Sequence, residues 1–107
     1  MPRKLPYSLV YAPRLFDHLK EVESKFQALI EKTLTEQLTF EPNRETRNRK
    51  PMRVPAPFHA GWELRFGPDN RFRLLYDIDE SRHVVNVLAF GIKDRNRLLI
   101  GGEEVSS

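Results

Sequence analysis

Residues 61–102 read GWELRFGPDNRFRLLYDIDESRHVVNVLAFGIKDRNRLLIGG, and their alternation decides the fold. Trp62, Leu64 and Phe66 point one way, with Glu63 and Arg65 opposite, so the period is two and the segment is a strand. Gly67-Pro68-Asp69-Asn70 is a turn by composition. In the following strand Phe72, Leu74, Tyr76 and Ile78 share the first face, and Arg71, Arg73, Leu75 and Asp77 share the other. Asp79 to Arg82 is a second turn. His83 to Phe90 is mostly apolar, as expected for a strand covered on both sides. The three strands form an antiparallel meander. From Ile92 to Ile100 a short helix or turn is expected, ending at Gly101-Gly102. Glu103 to Ser107 is expected to fray.

Upstream, Tyr7 to Tyr11 is a short β-type run, stopped by Pro13, and Pro2 and Pro6 keep what precedes it extended. Pro13 suits the first turn of a helix. Phe16, Leu19 and Val22 then follow at helical spacing. A longer helix over Ser24 to Thr39 carries Phe26, Leu29, Ile30, Leu34 and Leu38 on one stripe. Lys25, Glu31, Lys32 and Glu36 form its solvent face. Nothing else in the chain can cover the apolar face of the meander, so the two helices must pack on it. The predicted class is α+β: a small antiparallel sheet packed against an N-terminal helical hairpin, in the order β-α-α-β-β-β, with a short C-terminal helix or turn. The expected organisation is one domain over 1–107.

Phe40 to Ala60 shows neither period. It holds Pro42, Pro51, Pro55 and Pro57 and a basic cluster of Arg44, Arg47, Arg49, Lys50 and Arg53, with Glu45 the one acid from 43 to 53. The expectation is an extended basic segment laid along the domain edge; loops of this length are commonly functional. The formal net charge is +3, and twelve of the 18 cationic residues are arginine, whose planar fork suits bidentate phosphate contact. An uneven basic surface favours an anionic partner, either nucleic acid or an acidic protein segment. There are no cysteines, which excludes disulfides and thiolate metal sites. No apolar run reaches membrane-spanning length, and the N-terminus lacks the apolar core of a signal peptide. The expected location is the cytoplasm, with no membrane partner.

The ordered set Trp62-Glu63-Leu64-Arg65-Phe66, Arg71-Phe72-Arg73-Leu74-Leu75-Tyr76 and Val87-Leu88-Ala89-Phe90-Gly91, followed by Lys93 and Arg95, resembles the RelE/ParE family of type II toxin–antitoxin toxins. The resemblance implies a cytoplasmic toxin neutralised by a small cognate antitoxin protein that wraps it with a partly disordered segment. RelE-like members cut mRNA on the ribosome, using the RNA's own 2′-hydroxyl as nucleophile and no metal. ParE-like members share the fold and act on DNA gyrase without cleaving anything; an inactive member that still binds an antitoxin is the third possibility. By the same resemblance, Arg73 matches the arginine on the scissile phosphate. Arg65 matches one of two basic positions in the preceding strand, and Lys93 matches a catalytic arginine. The second basic position is Glu63 here, which reverses the sign. A tyrosine that some members carry near the C-terminus falls on Leu99.

Cleavage by a 2′-hydroxyl needs a base, a charge stabiliser and an acid. Arg65 and Arg73 share a face by strand parity, and cross-strand neighbours lie about 5 Å apart at Cβ. Glu63 on that face is a candidate base, or a structural partner holding an arginine fork. Of the three histidines, His59 is the strongest acid–base candidate and would pair with Glu63; His83 begins a strand beside a turn, and His18 lies on a helix. Three scattered histidines do not make a metal site, and no cofactor is expected. Arg44, Arg47, Arg49, Lys50, Arg53, Arg71, Arg95 and Arg97 are the candidate RNA-binding residues. Trp62, Phe66, Phe72 and Tyr76 read as core, with base stacking as the other use of such rings. Phe58, in the loop, is freer to stack on a base.

Overall fold

The computed structural model describes residues 5–105. The chain begins with β1 (Ser8–Tyr11), α1 (Pro13–Leu19), a 3₁₀ turn at Ser24–Phe26 and α2 (Gln27–Leu38). It continues through β2 (Arg49–Pro51), β3 (Trp62–Phe66), β4 (Phe72–Asp79), β5 (Val84–Asp94), β6 (Arg97–Ile100) and β7 (Glu103–Val105). The strands form one seven-stranded sheet in the order β2-β3-β4-β5-β6-β7, with β1 also on β5. The helices cover one face, and the fold is α+β as the alternation requires.

The core lies between helices and sheet. Leu15, Val22, Ile30, Leu34 and Leu38 pack against Leu64, Phe66, Phe72, Leu74, Tyr76, Val85, Val87 and Phe90. Burying each such side chain contributes roughly 1.5–3 kcal/mol, so this layer dominates the fold's stability. Phe72 sits at the centre of an aromatic group, edge-on to Phe26, Phe66 and Phe90 at 5.4, 5.5 and 5.2 Å between centroids. The fully buried Tyr76 hydroxyl donates to the Pro42 carbonyl at 2.7 Å, tying the segment after α2 to the sheet. Gly67 closes the β3–β4 turn at φ 85°, where an added Cβ would fall 2.3 Å from the Phe72 ring.

Several expectations need correction. The C-terminal segment is a pair of strands rather than a helix or turn: β5 runs to Asp94, turns at Arg95-Asn96 and returns as β6, and β7 follows where fraying was expected. The reason is alternation across Leu98-Leu99-Ile100, which buries Leu98 and Ile100 in a second apolar cluster with Ala60, Leu75 and Ala89. Residues 106–107 of the expected frayed end lie outside the described residues. The sheet is not wholly antiparallel, since β1 runs parallel to β5 from Ser8 beside Val84 to Tyr11 beside Val87. In α1 Leu15 is buried and Leu19 partly so, with Val22 buried beyond the helix end, whereas Phe16 is 59% exposed and Leu29 of α2 is exposed too. In a helix as short as α1 a one-residue change of phase exchanges Leu15 for Phe16. His83 lies in the turn before β5 at φ 58°, not in the strand.

Two details of β5 position the site. Leu75 pairs with Ala89 but Tyr76 pairs with Val87, so Leu88 is an extra residue, a β-bulge. Before the bulge Val85 and Val87 face the helices; after it Phe90 and Ile92 do. Ala89, Gly91 and Lys93 are thereby turned to the opposite face. The free edge of β5 is shared, with β1 on 84–87 and β6 on 91–94. In the gap, the Phe90 N–H donates to His18 Nδ1 at 3.2 Å.

Candidate anion-binding cleft

The sheet face away from the helices is half covered. The proline-rich segment after β2 and the β6–β7 hairpin lie over it, with Met52, Phe58 and Val105 packed on the second cluster. Between them an open cleft of about 850 Å³ remains. Six cations line it, namely Lys50, Arg53, Arg65, Arg73, Lys93 and Arg97, against two carboxylates, Glu63 and Glu104. Such an excess in a concave, partly dry site focuses a positive field on whatever enters.

The floor of the cleft is set by strand register. Arg65 stands directly opposite Arg73 in the β3–β4 pair, and Lys50 opposite Glu63 in the β2–β3 pair. Glu63 bridges the two arginines: its Oε1 lies 2.6 Å from Arg65 Nε and 3.8 Å from Arg73 Nε. Arg73 is held further by donation from Nη1 to the carbonyls of Asn70 and Phe72. The side chains of Glu63 and Arg73 are 14% and 12% exposed, whereas that of Arg65 is 41% exposed. Burial pushes the Arg73 guanidinium below its ordinary pKa; Glu63 opposes that shift and Arg65 adds to it. Gly91 lies opposite Arg73 on β5, where an added Cβ would fall 2.8 Å from both Ile100 Cγ1 and the Leu99 carbonyl oxygen.

The structure thus brings together Arg65, Arg73, Lys93 and Glu63 of the first candidate set, and Lys50, Arg53 and Arg97 of the second. The other candidates lie elsewhere. His59 lines a separate groove with Val10, Ala12, Asp77 and Asn86, beyond the Leu75–Ala89 cluster, so the His59–Glu63 pair is not assembled. Arg71 precedes β4 in a helical conformation and leaves the arginine face. It lines grooves with Glu21 on the helix side, and its Nε donates to the Lys93 carbonyl at 3.0 Å. Arg49 is buried, with donations to the carbonyls of Gln37 (2.7 Å) and Arg44 (3.0 Å), so it fastens β2 to the end of α2. Arg44 pairs with Glu41 beside Tyr7 and His83, and neither Arg47 nor Arg95 lines the cleft. Phe58 is partly buried, with the Arg14 guanidinium 5.0 Å from its ring centroid, and lines the His59 groove rather than the cleft.

Sequence reasoning did not single out Glu104 of β7, which also lines the cleft. The expected frayed end concealed it. Among the described residues no group of three or more His, Asp or Glu could hold a metal ion, and no helix is long and apolar enough to cross a membrane.

The sheet covered on one face by two N-terminal helices superposes on solved RelE toxins, and this chain has the RelE fold. The toxin–antitoxin complex RelBE2 of Mycobacterium tuberculosis superposes with a TM-score of 0.67 at 22% identity, over 87% of this chain and 98% of that one. The isolated RelE toxin of E. coli superposes with a TM-score of 0.58 at 23% identity, over 84% and 87% of the two chains. No protein-family model matches the chain, and no curated protein sequence does.

Proposed function

We propose that this chain is the toxin of a type II toxin–antitoxin pair, that a cognate antitoxin protein masks its cleft, and that it cuts mRNA on the ribosome in the RelE manner. The observation that supports this reading is the directly opposed Arg65–Arg73 pair on the floor of an open cationic cleft. A 2′-oxygen attacks the neighbouring phosphorus and the bond to the 5′-oxygen breaks. A 2′,3′-cyclic phosphate and a free 5′-hydroxyl result. Arg65 and Arg73 would hold the non-bridging oxygens as charge builds on them. Lys93, which has no ion-pair partner among the described residues, would donate the proton to the departing 5′-oxygen. The 2′-hydroxyl proton passes to water.

The second reading is a ParE-like inhibitor of DNA gyrase. It is favoured by the absence of any histidine from the cleft among its described residues, and by the engagement of Glu63 with Arg65. Induced expression with 5′-end mapping of cellular mRNA separates the two. The RelE reading expects growth arrest and new cut sites within translated messages, both lost in Arg73→Ala. Undisturbed translation with no new ends rejects it, and loss of gyrase supercoiling by the purified protein would establish the alternative.

A further inference from the structure

The two arginines on the cleft floor already share one of the chain's own carboxylates. Two guanidinium groups paired across adjacent strands repel each other, and cross-strand like charges destabilise a sheet. Glu63 Oε1 lies against both, at 2.6 Å from Arg65 Nε and 3.8 Å from Arg73 Nε. An oxygen between two arginine forks stands where a non-bridging phosphate oxygen would bind. We propose that Glu63 is an internal substitute for the phosphodiester, and that the cleft accepts an RNA backbone only by displacing it. This rests on the reading of the cleft as a phosphate site and adds to it a built-in restraint.

The surroundings provide for that displacement. Arg73 is fixed by two backbone carbonyls and is the part that stays. Arg65 has no other side-chain partner among the described residues and is 41% exposed, so it is the part that swings. Lys50 stands opposite Glu63 on β2 and lines the same cleft. Its present partner, Glu45, lies 3.6 Å away on the exposed surface. A carboxylate leaving the arginines therefore has a cation beside it to receive its charge.

The test measures binding of a fluorescent 2′-O-methyl RNA 12-mer, which cannot be cleaved, to the whole chain at low salt. Glu63→Gln keeps an acceptor oxygen for Arg65 and removes the charge. Removing a unit charge about 4 Å from the bound phosphate is expected to tighten binding about tenfold or more. Glu63→Ala should tighten it as well, and Arg73→Ala should weaken it about tenfold. Glu104→Gln removes an equal charge from the same cleft without an arginine contact, and a shift of no more than about twofold is expected. Equal shifts for Glu104→Gln and Glu63→Gln overturn the proposal. So does a Glu63→Gln protein that binds no more tightly, whether or not cleavage is lost, while Arg73→Ala still weakens binding. In both cases the phosphate reading of the cleft survives. If neither the natural chain nor any variant binds the oligomer, the cleft is not a phosphate site and both readings fall.

Discussion

Replacing Arg49 by methionine separates a structural arginine from the exposed arginines near it in sequence. Arg49 is 8% exposed, and its guanidinium donates to the carbonyls of Gln37 and Arg44 and to the Gln37 side-chain oxygen. All three acceptors are neutral, so the group satisfies the end of α2 and the segment before β2 rather than an ion. Methionine fills similar space but leaves two backbone carbonyls unpaired, at about 1–3 kcal/mol each. Relief of the desolvation of a buried charge offsets part of that. The net loss should be roughly 2–4 kcal/mol, or a fall of roughly 10–25 °C in melting temperature for a domain of this size. Arg47, two residues earlier, is exposed and unpartnered among the described residues, and Arg47→Met should change stability by less than about 0.5 kcal/mol. Thermal unfolding followed by circular dichroism reads both. If the two variants melt together, within a few degrees of the natural chain, Arg49 does not fasten β2 and the account of the cleft wall is wrong.

Two further outcomes follow from the geometry. His18 accepts the Phe90 N–H on Nδ1, and burial, then the nearby Arg14, hold its pKa below the ordinary value, partly opposed by Asp17. Glu21, Arg71 and Asp94 share its groove. A depressed folded pKa means the unfolded chain binds the proton more tightly, so this stability is complete above about pH 6.5 and is lost as pH falls towards the folded value. Melting temperature measured from pH 8 to 5 should fall less for His18→Gln, which keeps an acceptor, than for the natural chain; parallel curves contradict the assignment. Gly67→Ala forces a Cβ into the Phe72 ring at positive φ and should cost about 2–4 kcal/mol in urea unfolding, and an unchanged midpoint would show that the turn relaxes freely.

Much of this architecture can be read from residue order. Alternation at Trp62–Phe66 and, apart from Leu75, at Phe72–Ile78 fixes which side chains meet the helices, because a one-residue slip would expose Leu64 and Leu74, both fully buried. The same parity places Glu63, Arg65 and Arg73 together on the opposite face. The reading fails where the period is interrupted. Arg71 keeps the parity of Arg73 in sequence, but it lies before β4 begins and turns to the helix side. Leu98-Leu99-Ile100 is a short apolar run that length alone does not assign to helix or strand.

Pattern and composition were sufficient for the helix-covered sheet and for a cationic face, since both arise from short-range periodicity and the need to bury apolar area. Which cations share the cleft was decided in three dimensions. The Leu88 bulge adds one residue to β5 and thereby turns Lys93 from the helix face into the cleft. Arg49 and Lys50 are adjacent in the chain, yet one is buried in a network of carbonyls and the other stands beside Glu63. His59, only four residues from Glu63, falls on the far side of a packed cluster. Sequence distance does not carry this information, because a side chain's partners are set by strand register and by what packs between neighbours.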